Sequence, residues 1–432
     1  MATSSDWEAR KQRREEQQRI RKAKQRKMLI ILLGVVAVLA LIITLIVVFS
    51  GKKEETQTDE PQTQVQQAQD ENQPEEEATQ PTKEDPNLKT IRIAAAGDVN
   101  VTDRIVNSGG LNYDYTSVFM DVAHMLADAD LAVVNLEGNI CGAPYGSGTA
   151  SAPQGLVDAL DKAGVDLVQL ANSYSINKGI SGLKQTINGI RAAGMEPLGV
   201  YEDESAFRAG KGYTVCVVDG IKVAFVAFTK GMDGRGMPNG NEDCVNLLYE
   251  DYSTTYQKVN TEGITKILKS VASEKPDLTV ALLHWGSEYN DNISKTQESI
   301  VNLMQKQGVD AIIGTHSHMV HEITYDEVTG QFVAYSLGDF FGDGSRGGTN
   351  YSILLDLEIT MDHEAGTTMV TGYDYTPIYI LAEDECDGDR RVIRIDNAIN
   401  AYEGNYVDKV TKACYDSMKN ALERIAARVA GK

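Results

Sequence analysis

The chain has little sulfur and no surplus of positive charge. Its five cysteines, Cys141, Cys216, Cys244, Cys386 and Cys414, are odd in number and form no C-x-x-C pair. That excludes a zinc knuckle and a dense disulfide framework, and leaves room for one or two disulfides at most. Acidic residues outnumber basic ones by 62 to 41, for a net charge of −21. No basic patch is available to neutralise phosphates, so nucleic acid is not an expected partner. An anionic polymer would also be repelled unless a cation stood between the two. No internal repeat is evident, which removes solenoid and propeller architectures.

What is present divides into segments. Residues 1–27 are a basic arm. Met28–Phe49 holds no charged residue and no proline, and is built almost wholly of Leu, Ile, Val and Ala. Twenty-two such residues suffice to cross a bilayer core of roughly 30 Å as a helix. A cleaved signal peptide would have a shorter apolar core and a small-x-small site, and Phe49-Ser50-Gly51-Lys52-Lys53 offers none. The expectation is a single-pass anchor in the membrane bilayer. The arm stays cytoplasmic and the C-terminal domain extracytoplasmic, because basic flanks are retained inside. Residues 50–89, rich in Glu, Gln, Thr and Pro, read as an acidic disordered linker.

From residue 90 to 432 the pattern is globular α/β. Helical periodicity covers Tyr115–Ala127, Pro153–Ala163, Ile180–Ala193, Tyr252–Ser273, Ile293–Gln307 and Asn405–Val429. Gly164, Gly194 and Gly308 follow three of these, where a glycine would stop a helix. Tyr213–Val218 and Lys222–Phe228, split by Asp219-Gly220, predict a hairpin. Tyr351–Ile359 and Thr368–Ile380 predict further strands.

Several apolar, strand-like runs end on a group that can bind a metal. Ile91–Asp98 delivers Asp98, Leu131–Glu137 delivers Glu137, and Leu278–Glu288 delivers His284. Val309–His318 delivers His316 and His318, and Asp166–Asn172 delivers Asn172. In α/β sheets, ligands gather beyond the carboxyl ends of the strands. Carboxylate, amide and imidazole converging there suit divalent ions, held in pairs roughly 3.5–4 Å apart in metallohydrolases. Plainer readings stand beside this one. His316 and His318 could be turn residues satisfied by backbone, Asp98 a helix cap, Glu137 an exposed loop carboxylate and Asn172 a turn former. Trp285 reads as a wall of the cleft, packed rather than chemical, and Glu288 as a substrate contact or a solvated charge. His321 is a candidate second donor or a surface residue; His124 and His363 read as structural or surface groups. Gly342–Gly348 is either an anion cradle or a mobile loop.

The motifs at Gly97–Val99, Asn135–Glu137, Ala171–Asn172, His284–Tyr289, Gly314–His318 and Tyr335–Phe340 occur in an order that resembles the CapA family. These are poly-γ-glutamate capsule synthesis proteins related to calcineurin-like metallophosphatases. The resemblance implies a four-layer α-β-β-α sandwich, a cell-surface location and two divalent ions of Mn, Fe or Zn type. Asp98 and His318 would hold the first ion, His284 and His316 the second, and Glu137 both, with Asn172 as a weaker ligand. It implies work on an anionic polymer or phosphoester, beside membrane subunits of a polymer synthase. The chain departs from the family at Ser173 and Tyr174, where Asn and His are usual, at Asn177 in place of an acid, and at Asp339 in place of Asn. Tyr174 would stand where a catalytic imidazole is usual, with an ordinary pKa near 10. Three functions follow as expectations: a polymer-assembly component with a degenerate metal site, an active metal-dependent phosphoesterase or amide hydrolase, and a non-catalytic surface module.

Overall fold

The computed structural model describes residues 85, 87–385, 390–406 and 410–432. The basic arm, the span Met28–Phe49 and nearly all of the acidic linker lie outside them. Among the described residues no helix is long and apolar enough to cross a membrane. Cys141, Cys216 and Cys244 are free thiols, and Cys386 lies outside the described residues.

The strands, in chain order, are β1 (Leu88–Asn100), β2 (Leu131–Glu137), β3 (Leu167–Gln169), β4 (Glu196–Leu198), β5 (Thr214–Val218), β6 (Ile221–Thr229) and β7 (Leu278–His284). They continue with β8 (Ala311–Thr315), β9 (Ile323–Asp326), β10 (Gln331–Ala334), β11 (Asp339–Phe341), β12 (Tyr351–Asp362), β13 (Thr367–Leu381) and β14 (Arg391–Arg394). One sheet runs β14-β13-β12-β1-β2-β3-β4, with β11 pairing β1; the other runs β5-β6-β7-β8-β10-β9. The centres are parallel: β1 to β4 in the first sheet, and β6, β7, β8 and β10 in the second. This explains the unbroken apolar runs. A parallel strand covered on both faces has no solvent side to alternate with, and every residue of β2, β7 and β8 is buried.

Side chains alternate across the second sheet. Ala224, Val226, Phe228, Ala281, Leu283 and Ile312 pack against Ile264 and Leu268 of the helix Thr261–Glu274, and against Ile300 and Met304 of the helix Lys295–Lys306. Each of the larger side chains, Val226, Phe228, Leu283, Ile312, Ile264, Leu268, Ile300 and Met304, contributes roughly 1.5–3 kcal/mol when fully buried. The intervening residues face the first sheet, and there Phe332 of β10 meets Tyr373 of β13 at 5.2 Å between ring centroids. The helices Ile395–Glu403 and Lys412–Val429 cover β12 to β14 on the far side. The order is helix, sheet, sheet, helix.

The expected hairpin forms, with β5 and β6 antiparallel. Gly164, Gly194 and Gly308 all adopt positive φ where their helices stop. Three helices are shorter than periodicity suggests. Tyr115–Ala127 is helical only over Ala123–Ala127, because Tyr115, Val118 and Phe119 are buried from successive turns instead of one helical face. The helix expected from Tyr252 begins at Thr261, capped by the Asn260 side chain. The one expected from Asn405 begins at Lys412, capped by Thr411.

Candidate metal centre

Four strand ends assemble the site. Asp98 leaves β1 beside Asn135 of β2, its register partner. Asn135 and Glu137 are two residues apart on one face of β2, so the Asn135 amide reaches both carboxylates. Its Nδ2 donates to Asp98 Oδ1 at 2.6 Å and to Glu137 Oε1 at 3.3 Å. His284 closes β7. Beyond β8, His316 and His318 take φ values of +92° and +62°. Positive φ is rare outside glycine and marks a conformation held by its surroundings. One restraint is visible: the His316 N–H donates to Asp98 Oδ2 at 3.1 Å.

Two buried ligand groups result, and Glu137 belongs to both. Glu137, His284 and His316 offer atoms within 4.8 Å of one another, as do Asp98, Glu137 and His318. The His284 and His316 ring centroids are 4.4 Å apart. His316 Nδ1 is buried and has no hydrogen-bond partner among the described residues. His284 Nε2 lies 3.1 Å from Ser173 Oγ.

Asn172 adjoins the site through Asn135. Its Nδ2 donates to Asn135 Oδ1 and to the Leu136 carbonyl, and its Oδ1 accepts from the Tyr174 N–H at 2.9 Å. It thereby braces Asn135 and shapes the loop that carries Tyr174, while its amide oxygen keeps a second lone pair. Trp285, expected as a cleft wall, lies beneath the site: it is 1% exposed, donates Nε1–H to the Tyr335 carbonyl at 3.0 Å, and stacks on Tyr335. The apolar run through Leu283 continues into the core at that position, so an indole there packs. His321 donates its Nε2–H to the Asn290 carbonyl, 2.8 Å away, apart from both groups. Glu288 and Tyr174 do line the cleft, which measures about 140 Å³.

One participant was legible only as a departure from the family pattern. Asp339, the first residue of β11, is the Cα partner of Asp98, and its Oδ1 lies 2.8 Å from His318 Nδ1. β11 can approach because Gly97 has no side chain: a Cβ there would overlap the Gly338 carbonyl oxygen, which accepts the Asp98 N–H at 3.0 Å.

The electrostatics show a site short of positive charge. Burial pushes Asp98 up to about 6, and pushes Glu137 well above the usual carboxylate range, with Asp98 adding repulsion. Burial also raises Asp339. His284 and His316 are driven well below the ordinary imidazole value, first by burial and then by neighbouring cationic groups, so they stand neutral. Burial opposes charging of His318, but Asp339, Glu137 and Asp98 outweigh it and hold it well above normal. Three buried carboxylates against one imidazolium is an unfavourable balance that a divalent cation would correct. Neutral imidazoles, a shared carboxylate and an orphaned ring nitrogen fit such an ion. Tyr174 is pushed up to about 12, first by burial and then by Glu137, so its hydroxyl stays protonated.

A family model described as bacterial capsule synthesis protein PGA_cap matches residues 92–343, more than half of the chain. The chain belongs to this family. Every candidate ligand from Asp98 to Asp339 falls inside the matched segment. The capsule biosynthesis protein CapA of Bacillus anthracis is 27% identical over 313 residues, covering 70% of each chain. The PGA biosynthesis protein CapA of Bacillus subtilis (strain 168) is 24% identical over 210 residues, covering 47% of this chain and 49% of the relative. Among solved structures, the calcineurin-like phosphoesterase YfkN from Bacillus subtilis is similar with a TM-score of 0.44 at 13% identity, covering 79% of this chain and 99% of that one. A hypothetical protein from Thermus thermophilus gives 0.40 at 15% identity, covering 66% and 98%.

Proposed function

We propose that this PGA_cap protein is a membrane-anchored, extracytoplasmic component that acts in the synthesis, export or anchoring of an anionic surface polymer such as poly-γ-glutamate. Its metal centre would hold the polymer or a precursor and hydrolyse it weakly. The family supports the polymer, and the uncharged run Met28–Phe49 supports the anchor. The observation that carries the reading is the pairing of two ligand groups through Glu137 with Tyr174 where an imidazole acid would serve a phosphatase.

Asp98 and His318 would hold one ion, His284 and His316 the other, and Glu137 both. Bound divalent ions supply Lewis-acid polarisation of a phosphoryl or acyl oxygen and offset the charge of a polyanion. The remaining groups act around that. Asn135 holds Asp98 and Glu137 in place, and Asn172 holds Asn135. Ser173 meets His284 Nε2. Tyr174 lines the cleft and its hydroxyl keeps its proton near neutral pH, which makes it a poor general acid. A second reading, an active phosphoesterase or amide hydrolase of the envelope, is favoured by the completeness of the two groups.

Elemental analysis of the purified full-length chain tests this, beside a His316→Ala/His318→Ala variant. One or two equivalents of Mn, Fe or Zn in the parent, lost in the variant, are expected. No metal in either protein after reconstitution with all three would overturn the metal-centre reading.

A further inference from the structure

Four acidic residues line the cleft, Glu137, Glu288, Asp339 and Asp343, and a single Arg or Lys, Arg346. Arg346 stands in the glycine-rich stretch Gly342–Gly348. Its guanidinium carbon is 4.3 Å from the centroid of the Tyr289 ring, and that ring stacks on His318 at 5.1 Å. The three groups form one column, from a cation at the mouth to a candidate ligand at the floor. Despite the acidic surroundings, Arg346 makes no ion pair among the described residues, so its fork of N–H donors is left for a ligand.

The column is built and held. Tyr289 adopts φ +53°, an uncommon backbone for a bulky residue, and its N–H donates to the Ser317 carbonyl at 2.9 Å, between the two ligand histidines. The loop under Arg346 is fixed at its start by Arg390. That side chain is 2% exposed, is paired with Glu383 through two hydrogen bonds, and donates from Nη1 to the Gly342 and Asp343 carbonyls, each at 3.2 Å. Thr349 fixes the other end, donating Oγ1–H to the Arg346 carbonyl at 2.9 Å. The Asp343 carboxylate is occupied within the loop, accepting from the Ser345 N–H.

A planar guanidinium stacked on an aromatic face is pre-organised for bidentate pairing with a carboxylate, which a flexible ammonium is not. We propose that Arg346, steadied by Tyr289, is a specificity-determining residue that receives one side-chain carboxylate of a γ-linked glutamate polymer and so sets the neighbouring linkage at the metal centre. This rests on the polymer reading above. It also accounts for how an acidic protein admits an acidic chain: one carboxylate is met by the arginine while bound cations meet the rest.

The test is calorimetric titration of the metal-reconstituted full-length chain with a γ-linked glutamate oligomer, and with the same oligomer carrying amides in place of its side-chain carboxyls. The parent is expected to favour the carboxylate form at least tenfold. Arg346→Gln should abolish that preference by weakening only the carboxylate form, with metal content unchanged, and Arg346→Lys should restore part of it. Preference retained in Arg346→Gln, or equal binding of both oligomers by the parent, overturns the proposal and leaves the polymer reading standing. Binding of neither oligomer overturns both.

Discussion

Asp98 and Asp339 stand side by side on adjacent parallel strands, and His318 sits against both. Its Nδ1 lies 2.8 Å from Asp339 Oδ1 and 3.6 Å from Asp98 Oδ2. β11 is three residues long, yet it delivers a third buried carboxylate to a site that two strands already supply.

Asp339→Asn keeps the shape of that side chain and removes its charge, giving the residue usual in the family. Loss of a group that orients a ligand imidazole typically costs 10–100-fold in metal affinity. We expect a drop of that size for one ion, measured by competition with a chromogenic chelator. Unchanged affinity would reduce Asp339 to a turn residue, since its main-chain carbonyl accepts the Ser352 hydroxyl in either case.

Gly97→Ala should be far more damaging than its chemistry suggests. The added methyl would collide with the Gly338 carbonyl, which is backbone and cannot rotate away. Overpacking of this kind costs about 1–3 kcal/mol, and it would push β11 from β1 and displace Asp339. A lower melting temperature together with reduced bound metal is expected. Gly236→Ala serves as the control, because a Cβ there meets nothing within 4 Å.

Ser173→Asn combined with Tyr174→His returns the usual pair to the loop beside His284. An imidazole titrates near neutrality, whereas Tyr174 is pushed up to about 12. Positioned proton donors contribute about 10²–10⁴-fold, so turnover of a model phosphoester should rise by about 10²-fold or more. No change in rate at equal metal content would count against the weak-acid explanation.

Asp310 gives the fold a pH dependence away from the site. Burial pushes it up to about 6 from an ordinary 3.8, against the hydrogen bond it accepts from the Thr279 N–H. A carboxyl raised on folding stabilises while protonated. That contribution is complete below pH 3.8 and is lost as pH rises through about 6. Stability from this residue should therefore fall across that window by about 1–3 kcal/mol. Asp310→Asn should flatten the slope, as read from melting temperatures at either end.

The strand ends were the readable part of this molecule. β1, β2, β7 and β8 announce themselves as apolar runs because both of their faces are covered, and each run stops on its ligand. The five expected ligands that are carboxylates or imidazoles converge in two groups, and beside them the Asn172 amide is hydrogen-bonded to Asn135, Leu136 and Tyr174. β11 left no such trace. Three residues carry no periodicity, and its partner β1 lies more than two hundred residues earlier in the chain. The Tyr289–Arg346 stack was hidden for the same reason, since neither residue's neighbours in sequence predict the other. Helix ends were misplaced where buried residues in turns imitated a helical stripe, as at Tyr115 and Phe119.

Glu137 is the one residue common to both ligand groups, and this shapes the routes by which descendants of such a protein could change. A lineage abandoning metal altogether needs a single substitution there. A lineage keeping one ion would instead lose a member of one group, His284 or His316, or Asp98 or His318, and preserve Glu137. Mixed sets of residues among relatives should therefore be read in order, with the shared carboxylate the last to go wherever any metal chemistry is still under selection.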